Sequence, residues 1–381
     1  MTSSLRRFAL ECAAAATAVF AAGCGSGDGS REYEAARAAY EVRDLKKAEK
    51  LLSESVRLAP RNVDALVASA RVKIDLGEIA MAKDFVEKAR PLAPQDSDVR
   101  LLDAQIACYE QDYARAEEVF GSVALDASLD AGVRSQALAG IGVVEMMRNA
   151  TDSARIAFLK AIRMDRRNPS AWYHLGLIYQ RLGYDEAALE QFEIFVRLED
   201  VASKRVQDVQ HTVIPKLKDE IARQAADRPG ASSRDSAAAA KALEEAEAAW
   251  KKGQYKTAKT RYLAAYTADP LSYPAAVGVA KAIEKTDATL DGQKKTFEYY
   301  KAACALRPSA VSTFLKTGDL AMKLSRYAAA VEIYSRALAA DPSNFMVVDG
   351  LIRALRKTGG ADRVKTAAAY QAYRDLITKK R

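Results

Sequence analysis

Residues 171–192 read AWYHLGLIYQRLGYDEAALEQF, and this stretch decides the fold that we expect for the chain. Trp172, Leu175 and Tyr179 recur at helical spacing, so they form one apolar stripe on a first helix. Gly176 lies on the same helix, where a residue without a side chain lets another helix approach closely. The stretch therefore predicts a helix whose apolar side is covered by a second helix.

The second helix follows a short turn that contains Gly183. Ala188 is small enough for the crossing with the first helix, and Phe192, one turn later, fills the space beside it. A single pair of this kind cannot bury its apolar side alone, because it needs neighbours stacked against it. We therefore expect further copies of the pair along the chain.

These copies are present at a constant period. Residues of matching type repeat at intervals of 34, and the sets are Ala48, Ala82 and Ala116; Gly142 and Gly176; Ala154 and Ala188; Phe158 and Phe192; Pro60 and Pro94; and Pro308 and Pro342. The interval is 38 between Ala116 and Ala154, so we expect a loop with extra residues at 126–132. It is also 38 between Pro270 and Pro308, with the extra residues near 286–292.

The order W-x2-L-G-x2-Y followed by A-x3-F resembles the tetratricopeptide repeat. The resemblance covers 31–200 and returns at 237–270 and 309–342. It implies an all-α fold, an α-solenoid of stacked antiparallel helix pairs arranged in two arrays. It also implies a function, which is to present a surface that holds another protein.

The N-terminus is typical of an export signal. Residues 6–7 are both Arg, and 8–22 form an apolar, Ala-rich run that is too short for a stable helix across a bilayer. The run ends at 21–24 with AAGC, which resembles the lipobox of bacterial lipoproteins, although Ala21 stands where that family usually has Leu. In those proteins the cysteine is acylated and becomes the new N-terminus.

The sequence thus predicts a lipoprotein signal peptide at 1–23, lipidation of Cys24, and a flexible Gly- and Ser-containing tether over 24–30. The expected location is the cell envelope, with the protein anchored to a membrane by lipid and facing the periplasm or the exterior. The alternative is a cytosolic protein that keeps an Ala-rich N-terminal helix.

Four further segments follow the tether. A first repeat array is predicted over 31–200, and a helical segment over 201–227, in which Pro215 starts a new helix or a kink. This segment either caps the last repeat or folds into the groove of the array. A polar, breaker-rich linker is predicted at 228–236, and a second array at 237–381.

Composition and motifs argue against several classes of function. The net charge of +8 is spread over 58 basic and 50 acidic residues without a dense basic block, which is typical of a solvated surface rather than of a nucleic-acid site. The chain has two histidines, no CxxC, no Walker loop, no HExxH and no GxSxG. We therefore expect no enzyme activity, no catalytic residue, no metal, no cofactor and no nucleic-acid partner. Cys108 and Cys304 are expected to be free thiols.

The resemblance also places a partner-binding groove on the first helix of each pair, because those helices line the concave face. On this register the groove positions are Leu101, Gln105, Cys108 and Tyr109 in the third repeat, Ala139, Val143, Met146 and Met147 in the fourth, and Tyr173, Leu177, Gln180 and Arg181 in the fifth. Such an apolar, Met-containing groove suits an amphipathic helix or an extended peptide. The competing interpretation is that these residues pack against neighbouring helices or against 201–227.

The sequence therefore predicts a lipid-anchored scaffold or adaptor of the cell envelope, which binds a protein through the concave face of a superhelix. Two alternatives stay open. One is a cytosolic co-chaperone or regulator, and the other is an envelope component with a ligand-binding or catalytic role framed by the solenoid.

Overall fold

The computed structural model describes residues 29–199, 203–228 and 234–378. The predicted signal peptide, Cys24 and most of the tether, together with the middle of the predicted linker, lie outside the described residues. Within the described residues the chain forms helices and contains no β-strand. None of these helices is both long and apolar enough to cross a membrane.

Antiparallel helix pairs make up the first array. They are α1 Ser30–Glu41, α2 Leu45–Leu58, α3 Val63–Asp75, α4 Ile79–Ala89, α5 Ser97–Tyr109, α6 Tyr113–Leu125, α7 Ala131–Met147, α8 Thr151–Met164, α9 Pro169–Arg181 and α10 Asp185–Leu198. The extra residues predicted at 126–132 form a short loop and lengthen α7, which has 17 residues.

The segment after the fifth pair is also helical. It consists of α11 Lys204–Asp208, a π-helical turn Val209–Val213 and α12 Ile214–Ala226. The wider turn directly precedes Pro215, whose ring has no N–H to donate and clashes with the carbonyl one turn earlier in a regular α-helix. The helix is continuous from Val213 through Ile214 into α12, so Pro215 starts no separate helix and the π-helical turn before it accommodates its ring.

Four more pairs follow. They are α13 Ser236–Lys251, α14 Tyr255–Ala268, α15 Tyr273–Thr286, α16 Leu290–Leu306, α17 Val311–Lys323, α18 Tyr327–Ala340, α19 Phe345–Thr358 and α20 Ala361–Thr378. The all-α solenoid expected from the repeats is thereby confirmed.

The chain consists of two compact units, each of which packs mainly within itself. The first comprises the residues up to Ile178 together with Ala188–Pro215, and the second comprises Tyr179–Ala187 and the residues from Lys216 onward. The division at Pro215 falls inside the segment 201–227, between its π-helical turn and most of α12.

The turn inside a pair uses a residue in the left-handed backbone region. Seven turns share this feature, and the residues are Arg43, Gly77, Gln111, Asn149, Gly183, Gly253 and Ser325. The following N–H donates back to the end of the first helix, as from Glu78 to the Lys73 carbonyl at 2.8 Å. Only three of these residues are the glycines that the sequence indicates, so the helix packing imposes the same turn on four other residues.

Small residues lie where the helices of a pair cross. The repeated alanines of the second helices are fully buried, and they are Ala48, Ala82, Ala116, Ala154, Ala188, Ala258 and Ala330. On the facing first helix a glycine meets an aromatic ring of the second helix. A Cβ added at Gly142 would lie 2.6 Å from the ring of Phe158, and one at Gly176 would lie 2.9 Å from the ring of Phe192.

The close approach at Gly142 gives a test of the repeat register. We expect Gly142→Ala to destabilise the protein relative to Gly121→Ala by about 1–3 kcal/mol, because the new methyl group overlaps the Phe158 ring. Gly121 is the matched control, since it lies within α6 and a Cβ there meets nothing within 4 Å. Both changes gain the same helix propensity, so chemical denaturation of the two variants isolates the clash. Equal unfolding free energies would mean that the crossing is misplaced.

Candidate functional site

An open cavity of about 110 Å³ lies within the first unit. Its walls come mainly from the first helices of the second to fifth pairs. Among the predicted groove residues, those that line it are Leu101, Gln105, Cys108, Tyr109, Ala139, Val143 and Met147. The register of the repeats therefore brings residues from two successive repeats to one place.

The other predicted residues lie elsewhere. Met146 and Tyr173 are buried, with exposed fractions of 6% and 7%, and neither lines the cavity. Leu177 is half-buried farther along α9. Gln180 and Arg181 are exposed at the end of α9, in the stretch that belongs to the second unit. The predicted set is thus divided between cavity lining, packing and exposed positions.

Two carboxamides give the cavity its polar character. Gln105 on α5 and Gln136 on α7 are half-buried in its wall, and neither side chain has a hydrogen-bond partner among the described residues. Asn168, which also lines the cavity, is different: its Nδ2 donates to Ser135 Oγ at 2.9 Å, and its Oδ1 accepts from the Ala171 N–H at 3.2 Å. The two glutamines therefore offer both donors and acceptors to a ligand.

Two further polar residues of the cavity wall, Tyr40 and Arg71, contact carboxylates that lie outside it. Tyr40 Oη donates to Asp75 Oδ2 at 2.7 Å, and Arg43 Nη1 lies 3.2 Å from the same oxygen. Burial raises the pKa of the Asp75 carboxyl, while the Tyr40 hydrogen bond and nearby arginines oppose that rise. Arg71 pairs with Asp98 at 2.6 Å. Asp75 and Asp98 thus have cationic partners, while the Nε of Arg71 is buried without a hydrogen-bond partner among the described residues and is a further donor for a ligand.

The thiol of Cys108 faces the same cavity. Burial raises its pKa to about 12, so it is protonated at neutral pH and is a weak nucleophile. Cys108 and Cys304 are both free thiols. Within the described stretches of the chain, no group of three or more acidic, His or Cys side chains is arranged to hold a metal ion.

An aromatic cluster lies next to the cavity on α9. His174 stacks on Phe158 with ring centroids 5.2 Å apart, and Tyr173 packs at 5.1 Å from Phe195. The guanidinium of Arg205, on α11, lies over the rings of Tyr173 and Phe195 at 5.0 and 5.3 Å. Tyr173 is therefore covered by the chain's own arginine. The sequence pattern did not identify Arg205, because α11 lies outside the repeats.

Buried His174 predicts a pH dependence of stability. Burial, aided by the charge of Arg205, lowers the pKa of His174 to about 4, below the usual value of about 6.5 in an unfolded chain. The neutral ring thus stabilises the fold fully above about pH 6.5, and this contribution is lost as the pH falls toward 4. We expect the stability difference between the natural chain and His174→Gln to decrease across that window by on the order of 1 kcal/mol per pH unit. Urea unfolding at several pH values measures it, and parallel profiles would contradict it.

Comparison with known proteins supports the repeat assignment. Models of the tetratricopeptide repeat match 32–106, 169–199, and both 298–345 and 315–379. No curated protein matches the chain.

Several solved structures are similar. One is pilF of Pseudomonas aeruginosa, with 15% identity, 53% of this chain and 93% of that chain covered, and a TM-score of 0.39. A thermophilic tetratricopeptide-repeat protein of Thermus thermophilus has 15% identity, 49% and 99% coverage, and a TM-score of 0.42. MamA of Desulfovibrio magneticus RS-1 has 20% identity, 46% and 97% coverage, and a TM-score of 0.34. Helix pairs, buried small residues and family models agree that this chain contains tetratricopeptide repeats.

Proposed function

We propose that the chain is a scaffold or adaptor that binds a partner protein in the groove of its first unit. The observation that carries this proposal is the cavity with apolar walls and two carboxamides, Gln105 and Gln136, that lack partners among the described residues. A half-buried amide that gains hydrogen bonds on binding favours a ligand rich in backbone polar groups.

The same chemistry favours an extended peptide as the bound segment. In a helix most backbone N–H and C=O groups are already paired within the helix, whereas an extended segment leaves them free for Gln105 and Gln136. The apolar wall formed by Leu101, Val143 and Met147 then receives an aliphatic or aromatic side chain of that segment.

The proposal predicts that the two carboxamides contribute to affinity and not to stability. We expect Gln105→Ala combined with Gln136→Ala to weaken partner binding by about thirtyfold, since two hydrogen bonds at roughly 1 kcal/mol each are lost. The melting temperature is expected to change little, because neither side chain is bonded within the described protein. Gln95→Ala is the matched control, since Gln95 is an exposed glutamine in the turn before α5.

Photo-crosslinking in native membranes measures this binding. A photoreactive amino acid at Met147, in the cavity, is expected to trap the partner, whereas the same group at exposed Glu118 on α6 is not. The Met147 crosslink should disappear in the double glutamine variant and persist with Gln95→Ala. Equal crosslinking from both positions, or a crosslink insensitive to the glutamines, would reject the groove.

We further propose that lipid on Cys24 holds this groove close to a membrane of the cell envelope. The AAGC motif at 21–24 supports the modification. Gly29 supports the short distance, because its carbonyl accepts a hydrogen bond from Ser55 Oγ at 2.8 Å, which attaches the chain to the first helix pair. A Cβ at Gly29 would lie 2.7 Å from the Ser55 carbonyl oxygen, and its φ is +81°, so both space and backbone favour glycine. Five residues then span at most about 18 Å between lipid and repeat.

Metabolic labelling with a clickable fatty acid tests the anchor. We expect label on the natural chain and none on Cys24→Ala, which should also fractionate away from membranes. Cys12→Ala is the control, because Cys12 lies within the predicted signal peptide and leaves with it, so label should be retained. A labelled Cys24→Ala chain, or an unlabelled natural chain, would refute acylation at this position.

A further inference from the structure

Arg205 occupies a site of unusual composition on the first unit. Its guanidinium lies over the rings of Tyr173 and Phe195 and 3.4 Å from the carboxylate of Glu199. The side chains of Arg205 and Glu199 are exposed by only 7% and 6%. Flat aromatic faces and a buried carboxylate are the groups that recognise a guanidinium, so the site has the chemistry of an arginine pocket.

The arginine site lies beside the groove positions of the fifth repeat. Tyr173 holds one of the groove positions that the repeat register gives on α9, and Arg205 covers it there. Burial lowers the pKa of His174 on the same helix, and the charge of Arg205 adds to that effect. Ser170, which lines the cavity, lies one turn before Tyr173 on α9, so cavity and arginine pocket adjoin.

The segment that supplies Arg205 is short and irregular. α11 has five residues and runs directly into the π-helical turn Val209–Val213, a geometry that is rare and less stable than a regular α-helix. Its buried side chains include Arg205, Val206 and Val209. Short segments of this kind open with lower free energies than the helices of a repeat.

We propose that Tyr173, Phe195 and Glu199 form an arginine-binding site that α11 fills from within the chain, and that a partner's arginine competes with Arg205 for it. This inference rests on the groove function proposed above and names one residue type that the partner carries. The exchange replaces one buried guanidinium by another. The large desolvation cost of burying the charge therefore weighs little on the exchange, and Glu199 keeps a guanidinium beside it.

A peptide of the chain's own sequence tests the site. The probe is fluorescein-labelled SKRVQDVQHTV, residues 203–213, added to the purified full chain. We expect it to bind Arg205→Ala at least about tenfold more tightly than the natural chain, because the tethered copy otherwise competes at millimolar effective concentration. Lys204→Ala, which removes an exposed charge from the same helix, is expected to behave like the natural chain. The same peptide with alanine in place of its arginine should not bind preferentially.

Two measurements keep this test decisive. Arg205→Met, which retains the aliphatic stem, takes the place of Arg205→Ala should circular dichroism show the latter unfolded. Glu199→Gln is expected to accelerate hydrogen exchange of the 204–213 amides and to leave α5 and α7 unchanged. Equal peptide binding by all chains, or unchanged exchange, would overturn the arginine site. If the Met147 crosslink persists in that case, the groove function stands without it; if the peptide binds as expected but the crosslink never forms, the groove function alone fails.

Discussion

The close crossing of two helices at a fully buried alanine is the constraint on which the rest of this molecule depends. The same small residue recurs in seven pairs, from Ala48 to Ala330, and each time it lets the second helix lie against the first. A pair held this closely still leaves apolar surface on both sides, so neighbouring pairs must stack. In the first unit this stacking brings the first helices of successive pairs side by side, and the cavity lies among them.

This dependence explains how much of the fold the sequence predicts. Alanine and glycine recur at a spacing of 34 residues because each helix crossing requires a small residue. The positions of the helix pairs can therefore be predicted from this spacing. The turns are less visible. Arg43, Gln111 and Ser325 adopt left-handed backbone conformations that their own side chains disfavour, because the packed helices on either side dictate the connection. Local propensity alone would have placed such turns only at glycines.

The site is predictable to the extent that it follows the register. Leu101, Val143 and Met147 reach the cavity because concave positions repeat with the helix pairs. Gln136 escaped notice, since it lies one turn before Ala139, the first groove position that the register gives in the fourth repeat. Tyr173 holds a groove position yet is buried, because Arg205 covers it from a segment outside the repeats. The repeat pattern predicts the positions of the repeat helices. It does not predict that a segment outside the repeats, such as α11, packs against them.

The apolar cavity and the arginine pocket would contribute differently to the binding of a partner. Filling the apolar cavity beside Gln105 gains contacts that the free protein lacks, so it contributes directly to affinity. The arginine pocket is already filled by Arg205. A partner arginine that displaces Arg205 makes the same contacts that the displacement breaks, so the net gain in binding free energy is small. The contribution of this pocket is discrimination, since a partner without an arginine would have to leave Glu199 without its guanidinium or leave α11 in place. Affinity is thereby assigned to the cavity walls on α5 and α7, and selectivity to the arginine pocket beside Tyr173 on α9.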